Sequence, residues 1–226
     1  YLEKHKSQNQ LIHKSFFDNK TKSYSSGTQI DIVYPMFVGA TPQSEIYNVE
    51  KSLWTRTIEQ FKGHLATGLV GIPIITQWAT REGKAEEMYQ MLKKREYPGY
   101  LYMIDNGADL TWEHWDGDRS RIHNCFNGIG SWFYQALGGI TPDEKQPGYK
   151  HINIRPQIVD AIDWVKVSKD TPYGKLYVSW EKAQDELKIN LTIPVGSTAT
   201  LHTPEGKSIL LGSGNHTVNC NRLPKN

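Results

Sequence analysis

Apolar residues recur with a helical period through about the first 140 positions, and with a period of two thereafter. The run SEIYNVEKSLWTRTIEQF, Ser44 to Phe61, sets Ile46, Val49, Leu53, Trp54 and Ile58 near one face and predicts an amphipathic helix that packs inward. Leu69 to Ala79 and Lys84 to Lys94 predict a helix pair broken at Glu82-Gly83. Ser120 to Leu137 predicts another helix, ending in Gly138-Gly139. Between them, Tyr97 to Asp118 contains Pro98, Gly99, Gly107 and Gly117 and is expected to be a long loop with short turns. Loops of that length inside a compact domain usually serve function.

After Thr141-Pro142 the alternating runs HINIRP, WVKVSK, KLYVSW, LKINLTIP, TATLHT and KSILLG are separated by turn formers. They predict six or seven strands of a small antiparallel sandwich. The polar segment DEKQPG, Asp143 to Gly148, is expected to link the two parts. The fold class is therefore α+β with two domains, helical over 1–142 and an antiparallel β-sandwich over 143–226. A length of 226 residues suits one large or two modest domains.

Charge narrows the partners. Twenty-six Lys and Arg against 24 Asp and Glu leave a formal +2, too balanced to attract nucleic acid by bulk electrostatics. No apolar run approaches the ~20 residues of a membrane span. Cys125 and Cys220 lie far apart and resemble neither a metal knuckle nor a disulfide framework, so they do not fix a compartment. The N-terminus YLEKHKSQNQ has neither an apolar signal segment nor an initiator Met, as expected of a processed product or a fragment. Seven Trp and twelve Tyr are the one compositional departure, and they suit a protein that stacks sugar rings as well as one that packs a large aromatic core.

The chemistry concentrates in DNGADLTWEHWDG, Asp105 to Gly117. There Glu113 stands between Trp112 and His114, with Trp115 just beyond, and Gly107 and Gly117 let the backbone turn at either end. A carboxylate beside indole faces fits glycosidic bond cleavage, which ordinarily needs two carboxyl groups. The same residues also fit a glutamate at a helix start with tryptophans filling core. His123 is expected at the start of the following helix, where it would bond a sugar hydroxyl or serve structure. Arg119 and Arg121 read as solvated charges. Asp105, Asp109, Asp116 and Asp118 add carboxylates whose spacing does not follow an EF-hand, so no metal is assigned. Gly63, Gly68 and Gly71 around HLATGLVGIP form no phosphate loop and are read as helix-packing geometry.

Five strings occur in one order: HLATGLVGIP (64–73), YPGYLYMIDNGADLTWEHWDG (97–117), SRIHNCFNGIGSWFYQALGGI (120–140), PGYKHINIRP (147–156) and TPYGKLYVSW (171–180). With LTIPVGSTATLHTP (191–204) they cover nearly the whole chain. In this order they resemble the family-78 bacterial α-L-rhamnosidases. The resemblance implies an (α/α)6 barrel, of which residues 1–142 are the C-terminal half, and a β-sandwich over 143–226. It implies inverting hydrolysis of terminal α-L-rhamnosyl residues, with Glu113 as general base on water, His123 contacting the sugar, and Trp112 and Trp115 as pocket walls. No metal and no cofactor are expected. The general acid is expected upstream of residue 1, so the 226 residues alone are expected to be nearly inactive.

The expected partners are a rhamnose-containing carbohydrate and the preceding part of the same protein, with a homo-oligomer left open. A periplasmic or extracellular location is favoured slightly over the cytoplasm. The alternatives are another (α/α)-barrel glycosidase or phosphorylase, or a non-catalytic carbohydrate-binding relative.

Overall fold

In the computed structural model, residues 1–184 and 186–221 are described. They form two compact units, one over residues 1–129 and one from residue 130 onward.

The first unit is helical: α1 (Leu2–Phe16), α2 (Gln29–Phe37), α3 (Ile46–Glu59), α4 (Gly71–Arg81), α5 (Ala85–Leu92) and α6 (Tyr100–Asp105). A two-stranded ribbon, β1 (Phe17–Asp18) and β2 (Ser23–Tyr24), follows α1. A capping box starts α2: Asp31 N donates to Thr28 Oγ1 at 3.3 Å, and Thr28 N donates to Asp31 Oδ2 at 3.2 Å. Helix α2 packs on α3 and α4, and Ile32, Val33, Val49, Leu53, Ile72, Ile75 and Met88 form the core. Gly83, at φ 73°, ends the α4 segment in the left-handed conformation that glycine adopts without strain, which accounts for the expected break at Glu82-Gly83.

On α3 the buried side chains are Val49, Leu53 and Thr57, whereas Ile58 is 69% exposed. Nine residues at about 100° each carry Ile58 to the side opposite Val49, so the inward face continues through Thr57 instead. Thr57 accepts from the buried amide of Gln29, Nε2 to Oγ1 at 3.1 Å. Gln29 also donates to His64 O at 2.9 Å and accepts from Ala66 N at 2.8 Å. One side chain thereby joins α2, α3 and the segment entering α4. Helix α1 differs from the rest: none of its fifteen residues is buried. Its sequence, LEKHKSQNQLIHKSF, is too polar to supply a continuous apolar stripe.

Two further expectations change. The expected loop over Tyr97–Asp118 contains α6, which ends where Asn106 and Gly107 (φ 84°) stop the helix, and only the residues after it are irregular. The helix expected from Ser120 begins at Asn127 with a single 3-10 turn, continues through Gly130–Trp132 and widens to π geometry over Phe133–Leu137. Residues 120–126 pair with the preceding segment instead, through Glu113 N to Ser120 O at 2.8 Å and His123 N to Thr111 O at 2.9 Å. Asn124, Asn127 and Gly128 are weak helix formers and offer little resistance.

The second unit holds two four-stranded sheets. One orders β10 (Gly214–Asn221), β7 (Glu186–Ile193), β6 (Gly174–Ala183) and β5 (Trp164–Thr171). The other orders β3 (Ile140–Pro142), β4 (His151–Ile154), β8 (Thr198–His202) and β9 (Ser208–Leu211). All six expected strands form, and β3 and β10 join them. β10 pairs with β7 over its full length, from Gly214↔Ile193 to Asn221↔Glu186.

The arrangement is not wholly antiparallel. β4 and β8 run parallel, His151 opposite Thr198, because the chain reaches β8 only after crossing through β5–β7. The polar DEKQPG run lies in the β3–β4 hairpin, with Asp143 N donating to His151 O at 3.1 Å. Alternation sends Leu176, Val178, Trp180, Leu187, Ile189 and Leu191 to the core, and the Trp180 indole donates to Leu137 O at 2.8 Å. Among the described residues no helix is long and apolar enough to cross a membrane.

Candidate functional site

A cavity of about 630 Å³ opens in the helical unit, lined by two stretches joined as an antiparallel pair. Glu113 to Asp116 form one, and His123, Cys125 and Phe126 the other. Ala66 to Leu69 and Tyr97-Pro98 close the remaining sides.

The hairpin itself fixes Glu113. Its N–H donates to Ser120 O, and its Oε2 accepts from Ser120 N at 3.3 Å. Beneath it the Cys125 thiol lies 3.3 Å from the carbonyls of both Trp112 and Glu113. Burial pushes that thiol up from its ordinary 9.0, and the neighbouring Glu113 charge pushes in the same direction. Glu113 keeps its second carboxylate oxygen free of any protein hydrogen bond among the described residues. The site thus includes a cavity-lining carboxylate with one oxygen unbonded by protein, on a backbone held by its pairing with Ser120.

His123 sits across the pair. Its Nδ1 accepts from Cys125 N at 3.1 Å, which selects the tautomer with the proton on Nε2. Thr111 Oγ1 lies 2.5 Å from His123 O and 2.7 Å from Asn127 Oδ1, closing the far end. His123 is therefore a loop residue held by its neighbours, not the first residue of a helix.

Trp115 stacks on Phe126 with centroids 3.9 Å apart and planes 17° from parallel, and Tyr100 meets it edge-on at 5.2 Å. Its indole donates to Thr67 O at 3.2 Å, and the Tyr100 hydroxyl donates to Phe126 O at 2.6 Å. These contacts fix the ring in one orientation against the cavity.

Trp112 points elsewhere. It is buried to 3% exposure and does not line the cavity. Gly117, at φ 78°, lies so close that a Cβ there would sit 2.8 Å from the Trp112 ring, and the Arg121 guanidinium lies 5.0 Å from the ring centroid. Trp112 and Gly117 shape the turn that presents Glu113, and Arg121, read as a solvated charge, covers the indole.

Of the four aspartates only Asp116 reaches the cavity; Asp105 ends α6 and pairs with Arg95 at 2.5 Å. Among the described residues no three His, Cys, Asp or Glu side chains converge as a metal site would require. Sequence reasoning passed over Tyr97, Pro98, Thr67, Cys125 and Phe126. His64 explains part of this: its buried ring donates from Nδ1 to Pro98 O at 2.8 Å, tying HLATGLV to the Tyr97-Pro98 turn. The signal was present in the irregular stretch between α3 and α4, where Gly68 lines the cavity as well as separating helices.

The chain belongs to the bacterial α-L-rhamnosidase family: residues 1–137 match the family's 6 hairpin glycosidase domain, and residues 139–217 match its C-terminal domain. An alpha-L-rhamnosidase of Alteromonas sp. (strain LOR) is 28% identical over 222 residues, 93% of this chain and 24% of that protein. One from Formosa agariphila is 27% identical over 215 residues, covering 90% and 23%. The chain spans about a quarter of the length of the curated relatives it matches.

Solved structures share the fold. The α-L-rhamnosidase of Dictyoglumus thermophilum superposes with a TM-score of 0.87 at 24% identity, over 95% of this chain and 28% of that one. The enzyme of Streptomyces avermitilis complexed with L-rhamnose gives 0.84 at 21% identity, over 94% and 23%.

Proposed function

We propose that this chain supplies the water-activating half of an inverting α-L-rhamnosidase, with Glu113 as general base and the general acid contributed from outside these 226 residues. The observation that carries the reading is the convergence of Glu113, His123 and Trp115 on one cavity, with one Glu113 carboxylate oxygen free of protein hydrogen bonds among the described residues. A base must be immobile and within hydrogen-bond reach of the water it deprotonates, and the Ser120 hairpin gives Glu113 that rigidity. His123, with its proton on Nε2, donates to a sugar hydroxyl, and the buttressed Trp115 and the exposed Tyr97 form the walls. Trp112 acts behind the base by holding its turn.

In this reading the helices are the C-terminal half of an (α/α)6 barrel, and the two sheets are the sandwich that follows it. Residues 1–142 and 143–226 are the corresponding functional divisions. The substrate is a terminal α-L-rhamnosyl residue, and the enzyme acts in the periplasm or outside the cell. An inverting reaction places its second carboxyl about 6.5–9.5 Å across the sugar. The 226 residues by themselves are accordingly expected to be nearly inactive.

In the longer protein, Glu113→Gln should lower kcat on an aryl α-L-rhamnoside by about 10²–10⁴-fold with little change in KM. The product formed first should be β-L-rhamnose, read by proton NMR before mutarotation. Full activity of the Gln variant, or rhamnose release by the 226-residue chain that Glu113→Gln abolishes, would overturn this division of labour.

A further inference from the structure

The second unit carries a hollow of its own, about 460 Å³, on the outward face of the β5–β6–β7 sheet. Register places Trp164 opposite Glu181, Lys166 opposite Ser179, and Ser179 opposite Asn190, so these side chains share that face with Tyr177. Alternation directs this face away from the Leu176 and Val178 core, and the buried Trp180 also borders the hollow.

Three features separate the hollow from an ordinary polar sheet surface. The Trp164 indole is 61% exposed, a large apolar area to leave in water on a face otherwise built from Lys, Ser, Glu and Asn. Ser179 lines the hollow with only 6% of its surface exposed, and its hydroxyl, without a protein hydrogen-bond partner among the described residues, is open to solvent there. The Tyr177 hydroxyl is likewise unpaired, and Asn190 accepts from Thr217 at 2.9 Å through Oδ1, which leaves its amide N–H groups available. A hydroxyl, a phenol and amide N–H groups without protein partners at one hollow leave hydrogen-bonding capacity that a ligand or water can take up.

The charges at the rim are of mixed sign. Glu181 pairs with Lys188 at 3.5 Å, and the Lys166 ammonium lies 5.5 Å from the Trp164 centroid. No single-sign field would select an ion. What remains is one indole face beside a hydroxyl, a phenol and an amide, which suits the C–H face and equatorial hydroxyls of a neutral pyranose.

We propose that this hollow is a second carbohydrate-binding site, separate from the Glu113 cavity, which takes a neutral pyranosyl unit stacked on Trp164 and bonded through Ser179, Tyr177 and Asn190. It would hold a glycan chain on the protein while another unit is processed. The carbohydrate reading of the Glu113 cavity guides only the choice of probe.

The test is an NMR titration of the 226-residue chain with methyl α-L-rhamnoside and methyl β-D-galactoside, following the indole N–H signals of Trp164 and Trp115 and the backbone amides of Lys166 and Ser179. Saturable shifts of Trp164 with at least one probe are expected, unaltered by Glu113→Gln. Trp164→Ala, a change at an exposed position, should abolish the Lys166 and Ser179 shifts, and Tyr177→Phe should weaken binding about fivefold. Shifts confined to Trp115 would overturn this site and leave the Glu113 cavity intact; shifts confined to Trp164 would support it and leave the Glu113 reading standing, because half of that pocket lies outside these 226 residues. Lys166 and Ser179 shifts that survive Trp164→Ala would also overturn it.

Discussion

Glu113 owes its position to its neighbours' backbone groups. The pairing of Glu113 with Ser120 and of His123 with Thr111 brings two residues ten apart in sequence (123 minus 113) to one cavity, and Cys125 spans the turn from below. Tyr100 acts at the same scale. Burial first, and then the Cys125 charge, hold its hydroxyl above the ordinary 10.0, and burial likewise raises Cys125 above 9.0.

The folded chain therefore keeps protons that the unfolded chain releases. The contribution is full below about pH 9, begins to be lost as pH passes the unfolded values of about 9 and 10, and goes on falling up to the higher folded values. Urea midpoints measured at about pH 8 and about pH 10.5 should fall across that interval in the parent chain. They should fall less in Tyr100→Phe, which has no phenol to ionise, although that variant starts lower because it loses the 2.6 Å bond to Phe126 O. An equal alkaline loss in both chains would exclude Tyr100 as a contributor. Of the proposed site residues, Glu113 was legible as a carboxylate between indoles. Which indole faces the cavity was not, because adjacent residues in a turn diverge by angles that no period sets.

At the scale of elements, periodicity located α3, α4, α5 and six strands, but it erred where a side chain was counted by type rather than by angle. Ile58 is apolar and exposed, whereas Thr57 is polar and buried, because the helix turns Thr57 toward Gln29. Leu53→Ala should cost about 2–5 kcal/mol, since Leu53 is fully buried on that face. Ile58→Ala should stay within about 0.5 kcal/mol, as exposed substitutions do. Chemical denaturation of both variants gives the comparison, and comparable losses would place Ile58 in a core. β3 and β10 were missed for a related reason: a three-residue strand and one written GNHTVNCN carry too few apolar residues to show alternation without their partners β4 and β7.

At the scale of the whole molecule, the helices differ in how they are secured. Helix α1 buries none of its residues and is tied down by side chains, with Asn9 Nδ2 donating to Val38 O at 2.9 Å and His13 Nδ1 lying 2.8 Å from the Tyr24 hydroxyl. Its amides should exchange with deuterium far faster than those of α4, where Ile72, Ile75, Thr76, Trp78 and Ala79 are buried. Protection of α1 equal to that of α4 would contradict this ordering.

The sequence alone determined what local chemistry dictates. The change of period near Thr141 marked the passage from helices to strands, the glycine at 83 marked a helix end, and the order of the motifs pointed to the rhamnosidase family. Tertiary structure alone decided what depends on segments meeting. It turned Trp112 inward and Trp115 toward the cavity, ran β4 parallel to β8, and kept 120–126 out of the helix. These outcomes follow from hydrogen bonds and close packing between residues distant in the chain, whose geometry a one-dimensional pattern does not carry.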